Sequence, residues 1–145
     1  MLQISERIIL TIWIGGMWTV GYLVAPTLFG MIEERALAGS IAGRLFSIIS
    51  YIGLISAILL LAGLIYSAGI QVLHAWRCWL LLLMLLIILV GEFVLQPQMQ
   101  VLREQGLQGD TAAQFGRLHG TASVLFLINS IAGLVILIFG LRAET

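Results

Sequence analysis

Lysine is missing from this 145-residue chain, cysteine occurs once, proline twice, and charged residues make up only 10%. Each scarcity excludes something. Without lysine, every cationic side chain is a guanidinium, which stays charged in any setting and grips carboxylates or phosphates with two parallel hydrogen bonds. The lone Cys78 rules out an intrachain disulfide and every multi-cysteine metal motif. Seven arginines against seven acidic residues leave no net charge, so there is no basic field to hold nucleic acid, which is set aside as a partner. A phosphate-binding glycine loop, a zinc-binding H-E-x-x-H helix and a nucleophile elbow are also missing. No catalytic set supports an enzyme.

What remains is apolar. Hydrophobic residues form 61% of the chain and mean hydropathy is +1.11, far from the roughly 45–50% apolar usage of soluble domains. Four stretches are long enough to cross a hydrocarbon core of about 30 Å. The first runs from about Arg7 to Met31, is interrupted by Gly15, Gly16, Gly21 and Pro26, and contains Trp13 and Trp18. The second begins near Ala38 or Phe46 and ends near Ile70, the third covers Trp76 to Gln96, and the fourth covers about Gly120 to Leu141. The expected fold is an all-α integral membrane four-helix bundle, a single four-span domain over residues 1–145 embedded in a lipid bilayer. The apolar run from Ile8 to Phe29 exceeds a signal-peptide core and lacks an A-x-A site, so it is read as a retained span.

Connections are expected to alternate in length. A few residues around His74 join spans two and three, whereas Pro97 to Leu118 reads as a long amphipathic link with a short interfacial helix. Pro26 and Pro97 are the expected kinks or helix ends. An even number of spans puts both termini beside Arg7, Arg77 and Arg142, and puts Arg35, Arg44, Arg103 and Arg117 opposite. That count is nearly tied, so the longer links are what favour cytoplasmic termini. Trp76 and Trp79 mark an interface.

The two halves resemble each other. Tyr-Leu-Val-Ala-Pro at Tyr22 to Pro26 matches Phe-Val-Leu-Gln-Pro at Phe93 to Pro97, and Gly-Arg-Leu-Phe at Gly43 to Phe46 matches Gly-Arg-Leu-His at Gly116 to His119. The register continues through Ser50 with Ser123 and Ser56 with Asn129. The pattern predicts two repeated hairpins, about 1–72 and 73–145, related by a pseudo-two-fold axis along the membrane normal. Departures from symmetry single out the second hairpin: Glu92 replaces Gly21, Gln96 replaces Ala25, Gln98 replaces Thr27, and His119 replaces Phe46.

These departures give the candidate ligand or proton site: Glu92, Gln96, Arg117, His119 and Arg44. Glu92 precedes Pro97 by five residues, about 7 Å inside a helix that ends there, and an intramembrane carboxylate is a functional candidate by default. A neutral Glu92 would carry a proton. Arg44 or Arg117 beside it would instead hold it ionised in a structural clamp. The two arginines also suit snorkelling to an acidic lipid head group. His119, with Gly120 leaving room beside it, suits a proton carrier, a metal ligand or a hydrogen-bonded structural histidine. It is the only metal-ligand candidate; His74 lies across the membrane, so one haem cannot use both. Pairing of His119 across a dimer, or with Met99, stays open. Gly39 with Gly43 and Gly116 with Gly120 put small residues on one face of spans two and four, which suits packing between those spans first and self-association second. Asn129 and Ser130 lie mid-span, where an interhelical hydrogen bond is expected.

Trp-Ile-Gly-Gly at Trp13 to Gly16, Val-Ala-Pro-Thr-Leu-Phe at Val24 to Phe29, Ala-Gly-Arg-Leu-Phe at Ala42 to Phe46, and His119-Gly120 with Asn129 together resemble the bacterial domain of unknown function 4149 family, which is related to eukaryotic transmembrane protein 205. The resemblance covers nearly the whole chain. It implies distant kinship with copper-resistance D-type membrane domains and with four-span proteins of haem biosynthesis, hence an inner-membrane bundle loosely associated with metal or haem handling. Only His119 is placed to take over a ligand role.

Three functions stay open. The first is a non-enzymatic module that binds or passes a small ligand or ion through the polar cluster, with no cofactor. The second is a haem- or copper-binding redox or handling module, and the third is an assembly or scaffold partner of another membrane protein or of a second copy.

Overall fold

The computed structural model describes residues 2–140, and every element in that range is helical. Span one consists of α1 (Leu2–Trp18), a π-helical turn (Thr19–Val24) and α2 (Ala25–Met31). Span two is α3 (Arg35–Ala68), and a 3₁₀ segment (Gly69–His74) leads on to span three. Span three repeats the plan of the first: α4 (Trp76–Val90), a π-helical turn (Gly91–Leu95) and α5 (Gln96–Gln105). Span four is α6 (Gly109–Phe139). Their membrane-crossing stretches run to 28, 33, 30 and 31 residues, or about 42–50 Å at 1.5 Å per residue. That length crosses the hydrocarbon and both head-group layers. The chain is a multi-pass membrane protein.

Lipid rather than water is the solvent, so large apolar side chains face outward. Ile12, Leu59, Trp79, Leu86 and Ile131 are all exposed. With no hydrophobic drive between helices in lipid, cohesion has to come from close packing and interhelical hydrogen bonds. Span one packs on two, two on three, three on four, and four returns to one, while diagonal pairs meet at most marginally. Trp13, Met17 and Met84 fill the axis. Glycine makes the room: a methyl on Gly53 would come within 2.5 Å of Trp13 Nε1, and one on Gly21 would strike the Phe126 ring. Phe126 reaches on to Phe46, ring centroids 5.3 Å apart, and so ties the diagonal spans two and four through side chains alone.

Three expectations need correction. Neither proline ends its helix. A proline in a regular α-helix has no N–H to donate and its ring clashes with the carbonyl four residues back. Here the preceding turn widens, so that Ala25 N–H reaches Val20 O and Gln96 N–H reaches Gly91 O, each five residues back. Dihedral angles stay right-handed helical throughout.

The long interfacial link between spans three and four is likewise replaced. Span three runs on to Gln105, span four starts at Gly109, and only three residues turn between them. Left-handed Gly106 (φ 87°) and Gly109 (φ 52°) make that turn tight. Gln108 N–H donates to Thr111 Oγ1 at 3.0 Å and caps the helix start. The 3₁₀ link containing His74 is the longer one. Finally, spans two and four stand diagonally, and Gly116 and Gly120 have nothing beside them within 4 Å, so their small faces do not pair within the chain.

Candidate functional site

Because α5 continues past Pro97, Glu92, Gln96, Met99 and Arg103 recur at steps of four, three and four along one face of span three. The continuous apolar run of span three ends at Leu95, and Arg103 lies about 12 Å farther along the helix, two residues before its end at Gln105. This polar stripe turns inward. Met99 is buried, and Gln96 and Arg103 are half-buried.

Gln96 ties span three to span two. Its Nε2 donates to the Gly43 carbonyl at 3.3 Å and lies 3.5 Å from Ser47 Oγ. Arg103 ties span three to span four: its guanidinium carbon sits 5.0 Å above the centre of the Phe115 ring, a cation–π contact. Helical side chains lean toward the helix N-terminus, which carries the Arg103 head back toward Gln96. The two meet over Gly43. At the point a Cβ on Gly43 would occupy, Gln96 Nε2 is 3.5 Å away, Arg103 Nη1 3.6 Å and Arg103 Nη2 3.8 Å. The bare backbone of Gly43 therefore lets Gln96 and Arg103 approach span two closely, with Gln96 Nε2 donating to both the Gly43 carbonyl and Ser47 Oγ.

The other expected site residues are dispersed. Arg44 and Arg117 are exposed; Arg44 follows Gly43 by one residue and so points about 100° away from the seam. His119 is exposed and stacks on Phe115 of its own helix, ring centroids 5.9 Å apart and nearly parallel. Glu92 is half-buried, four residues after Ile88 and three before Leu95, both of which are buried. Among the described residues Glu92 forms no ion pair, so the clamp with Arg44 or Arg117 is not made; those guanidiniums are on outward faces. The sequence reading missed Arg103, Phe115 and Ser47. Their signal was the step of seven from Gln96 to Arg103, hidden by the assumption that Pro97 ends the helix.

A second polar group lies mid-membrane. Tyr22 OH donates to Ser130 Oγ at 3.1 Å across spans one and four. Asn129 Nδ2 donates to Met17 Sδ at 3.7 Å, a weak acceptor, and buried Asn129 Oδ1 has no partner. The interhelical hydrogen bond expected of Asn129 is thus made to a thioether. No three of His, Cys, Asp and Glu stand together among the described residues, Met99 turns into the core, and His119 faces out.

Residues 8–108, from span one to the turn into span four, match the family model described as a domain of unknown function, DUF4149. The chain belongs to the DUF4149 family. Within this DUF4149 protein the matched stretch contains Gly43, Ser47, Glu92, Gln96 and Arg103, whereas Phe115, Arg117 and His119 follow it. No curated protein and no solved structure matches the chain.

Proposed function

We propose that this DUF4149 protein is a non-enzymatic module of the bacterial inner membrane that binds or passes a small ligand or ion along the polar stripe of span three. One observation carries the reading. A carboxylate, Glu92, and a guanidinium, Arg103, share an inward face of one transmembrane helix, and neither has an opposite charge beside it among the described residues. Burying charge without a partner is costly, and such groups in membranes mark ligand or ion pathways. The hairpins are read as a duplication with both termini cytoplasmic. In support, each hairpin carries a π-helical turn running straight into its proline helix, at corresponding places. In the first hairpin Gly21 admits the Phe126 ring, an aromatic filling, whereas Glu92 takes the corresponding place in the second.

The test uses liposomes loaded with a pH-sensitive dye and a potassium diffusion potential, alongside native mass spectrometry of the purified chain. Wild type should pass protons or cations, or retain a small molecule, and Glu92→Gln should lose this while its thermal midpoint stays unchanged. Glu92→Asp, which keeps the charge, should retain it. Wild-type vesicles no leakier than empty ones, together with no retained molecule that Glu92→Gln loses, would reject the reading.

A further inference from the structure

Each widened turn leaves one backbone carbonyl without a helical donor. In an α-helix the Glu92 carbonyl would accept from the N–H of residue 96, and in a π-helix from that of residue 97. Gln96 N–H goes to Gly91 O instead, and Pro97 has no N–H to give. In the first hairpin Ala25 N–H goes to Val20 O and Pro26 follows it, so the Gly21 carbonyl is freed in the same way. Gly21 and Glu92 each precede their proline by five residues. A freed carbonyl thus stands at the same place in both hairpins, and in the second it belongs to a residue that also carries a carboxylate. Span three continues to Gln105, which puts Glu92 about 24 Å from Trp76 and about 20 Å from Gln105, close to mid-membrane. Hydrocarbon offers a carbonyl no partner.

The groups left over around Glu92 all present oxygen. Its carboxylate has no cation beside it among the described residues. Gln96, four residues on along the same face, spends its Nε2 on the Gly43 carbonyl and Ser47 Oγ, so only its amide oxygen is left for a guest. Gly91 has nothing within 4 Å of the point a Cβ would take, which leaves room beside the turn. Acceptors without donors select a cation, and carbonyls freed at breaks in membrane helices are ligands for alkali ions. A proton would need the carboxylate alone. The glutamate side chain is long enough to bring its carboxylate toward its own carbonyl, and a cation between them closes the ring. One carboxylate balances one charge, whereas a divalent ion would leave a net charge in hydrocarbon, which is costly. We infer that the Glu92 carboxylate and the Glu92 backbone carbonyl, freed by the π turn ahead of Pro97, bind a monovalent alkali cation near the middle of the membrane. The inference rests on the proposed binding role of the stripe and deepens it. It names the class of ion, and a second ligand that no side chain supplies.

Pro97→Ala separates the carbonyl from the carboxylate. The Glu92 carbonyl then gains a donor in either register, from residue 96 if the turn closes to α or from residue 97 if it stays π, while the carboxylate is untouched. Pro26→Ala makes the same change beside Gly21, where no carboxylate stands. The full chain is purified in detergent and titrated with sodium chloride or potassium chloride, with choline chloride holding the ionic strength. Bound ion is measured by equilibrium dialysis and by the rise in thermal midpoint. Wild type should take up one alkali ion per chain, and Glu92→Gln none. Pro97→Ala should bind at least about tenfold more weakly, and Pro26→Ala should bind as wild type does. Isotope labelling of the glutamate backbone carbonyls should move the ion-induced infrared amide band of the wild type, a readout that needs no substitution. Absence of bound alkali ion, binding that survives Glu92→Gln, or an ion-induced band unmoved by the label would overturn the site. Wild-type affinity in Pro97→Ala, or an equal loss in Pro26→Ala, would do the same. Because this assay reads ion occupancy and not flux, its failure beside Glu92-dependent proton flux removes only the alkali site. Its failure together with absence of flux and of any retained molecule removes the binding role of the stripe as well.

Discussion

Replacing Gly53 with alanine tests the packing that holds the ring of four spans together. The new methyl would lie 2.5 Å from Trp13 Nε1, 3.0 Å from Trp13 Cε2 and 2.9 Å from Ile88 Cδ1, whereas ordinary carbon contacts are about 3.5–4.0 Å. Something must open by about 1 Å. Ile88 Cδ1 is the end of a flexible chain and can swing aside. Trp13 cannot, because it is a rigid bicycle only 1% exposed, in the same buried core as Met17, Leu60 and Met84. Spans one and two must therefore separate, and overpacking of this kind costs about 1–3 kcal/mol. Alanine returns up to about 1 kcal/mol over glycine within a helix, so the net loss should be about 1 kcal/mol and at most about 2 kcal/mol. Gly120→Ala is the matched control. With nothing within 4 Å of its new methyl, it should be neutral or stabilise by up to about 1 kcal/mol. Reversible unfolding in mixed micelles, followed by the fluorescence of the four tryptophans, measures both. Trp13→Phe, which removes the clashing ring edge, should make Gly53→Ala far less harmful, with a coupling above about 0.5 kcal/mol. A Gly53→Ala chain as stable as the parent, or an identical loss in the Trp13→Phe background, would refute the reasoning.

Two further substitutions probe the polar contacts. Asn129→Leu should match or exceed the parent in the same unfolding assay, because it removes a buried carbonyl without a partner and a donor bonded only to sulfur; a clear loss of stability would show that the amide has a stronger role. Arg77 Nη1 donates to the Gly140 carbonyl at 2.5 Å and caps the end of span four. Arg77→Gln should cost about 1 kcal/mol and speed amide exchange over the last turn near Ile138 to Gly140, and unchanged exchange there would contradict the cap.

Much of the architecture could be read from residues in order. Continuous apolar runs reveal spans because lipid offers no partner for backbone N–H and C=O groups, so each crossing segment must bond internally as a helix. The ends of those helices were less legible. Gln96 to Gln105 and Gly109 to Leu118 are polar and look like a link by hydropathy, yet they are helical, since head-group layers tolerate polar side chains on a continuing helix. Pro97 concealed the same continuation, because a rule made for regular α-helices does not foresee a widened π turn ahead of the ring. The candidate site suffered in proportion. Gln96 and Glu92 are visible as departures from the repeat, but Arg103 falls in what reads as an interfacial link, and exposed Arg117 and His119 draw the attention due to it.

Composition and the length of the apolar runs alone determined the solvent, the all-helical class, the four crossings and the presence of a carboxylate in span three, because burial in hydrocarbon restricts each segment independently of its neighbours. Tertiary structure alone decided which polar groups meet. The cyclic order of the spans puts Gly43 opposite Gln96 and Arg103, and leaves Gly116 and Gly120 facing outward. A helix face carries no information about its partner until the bundle closes: one residue's rotation separates Gly43 at the seam from Arg44 outside it.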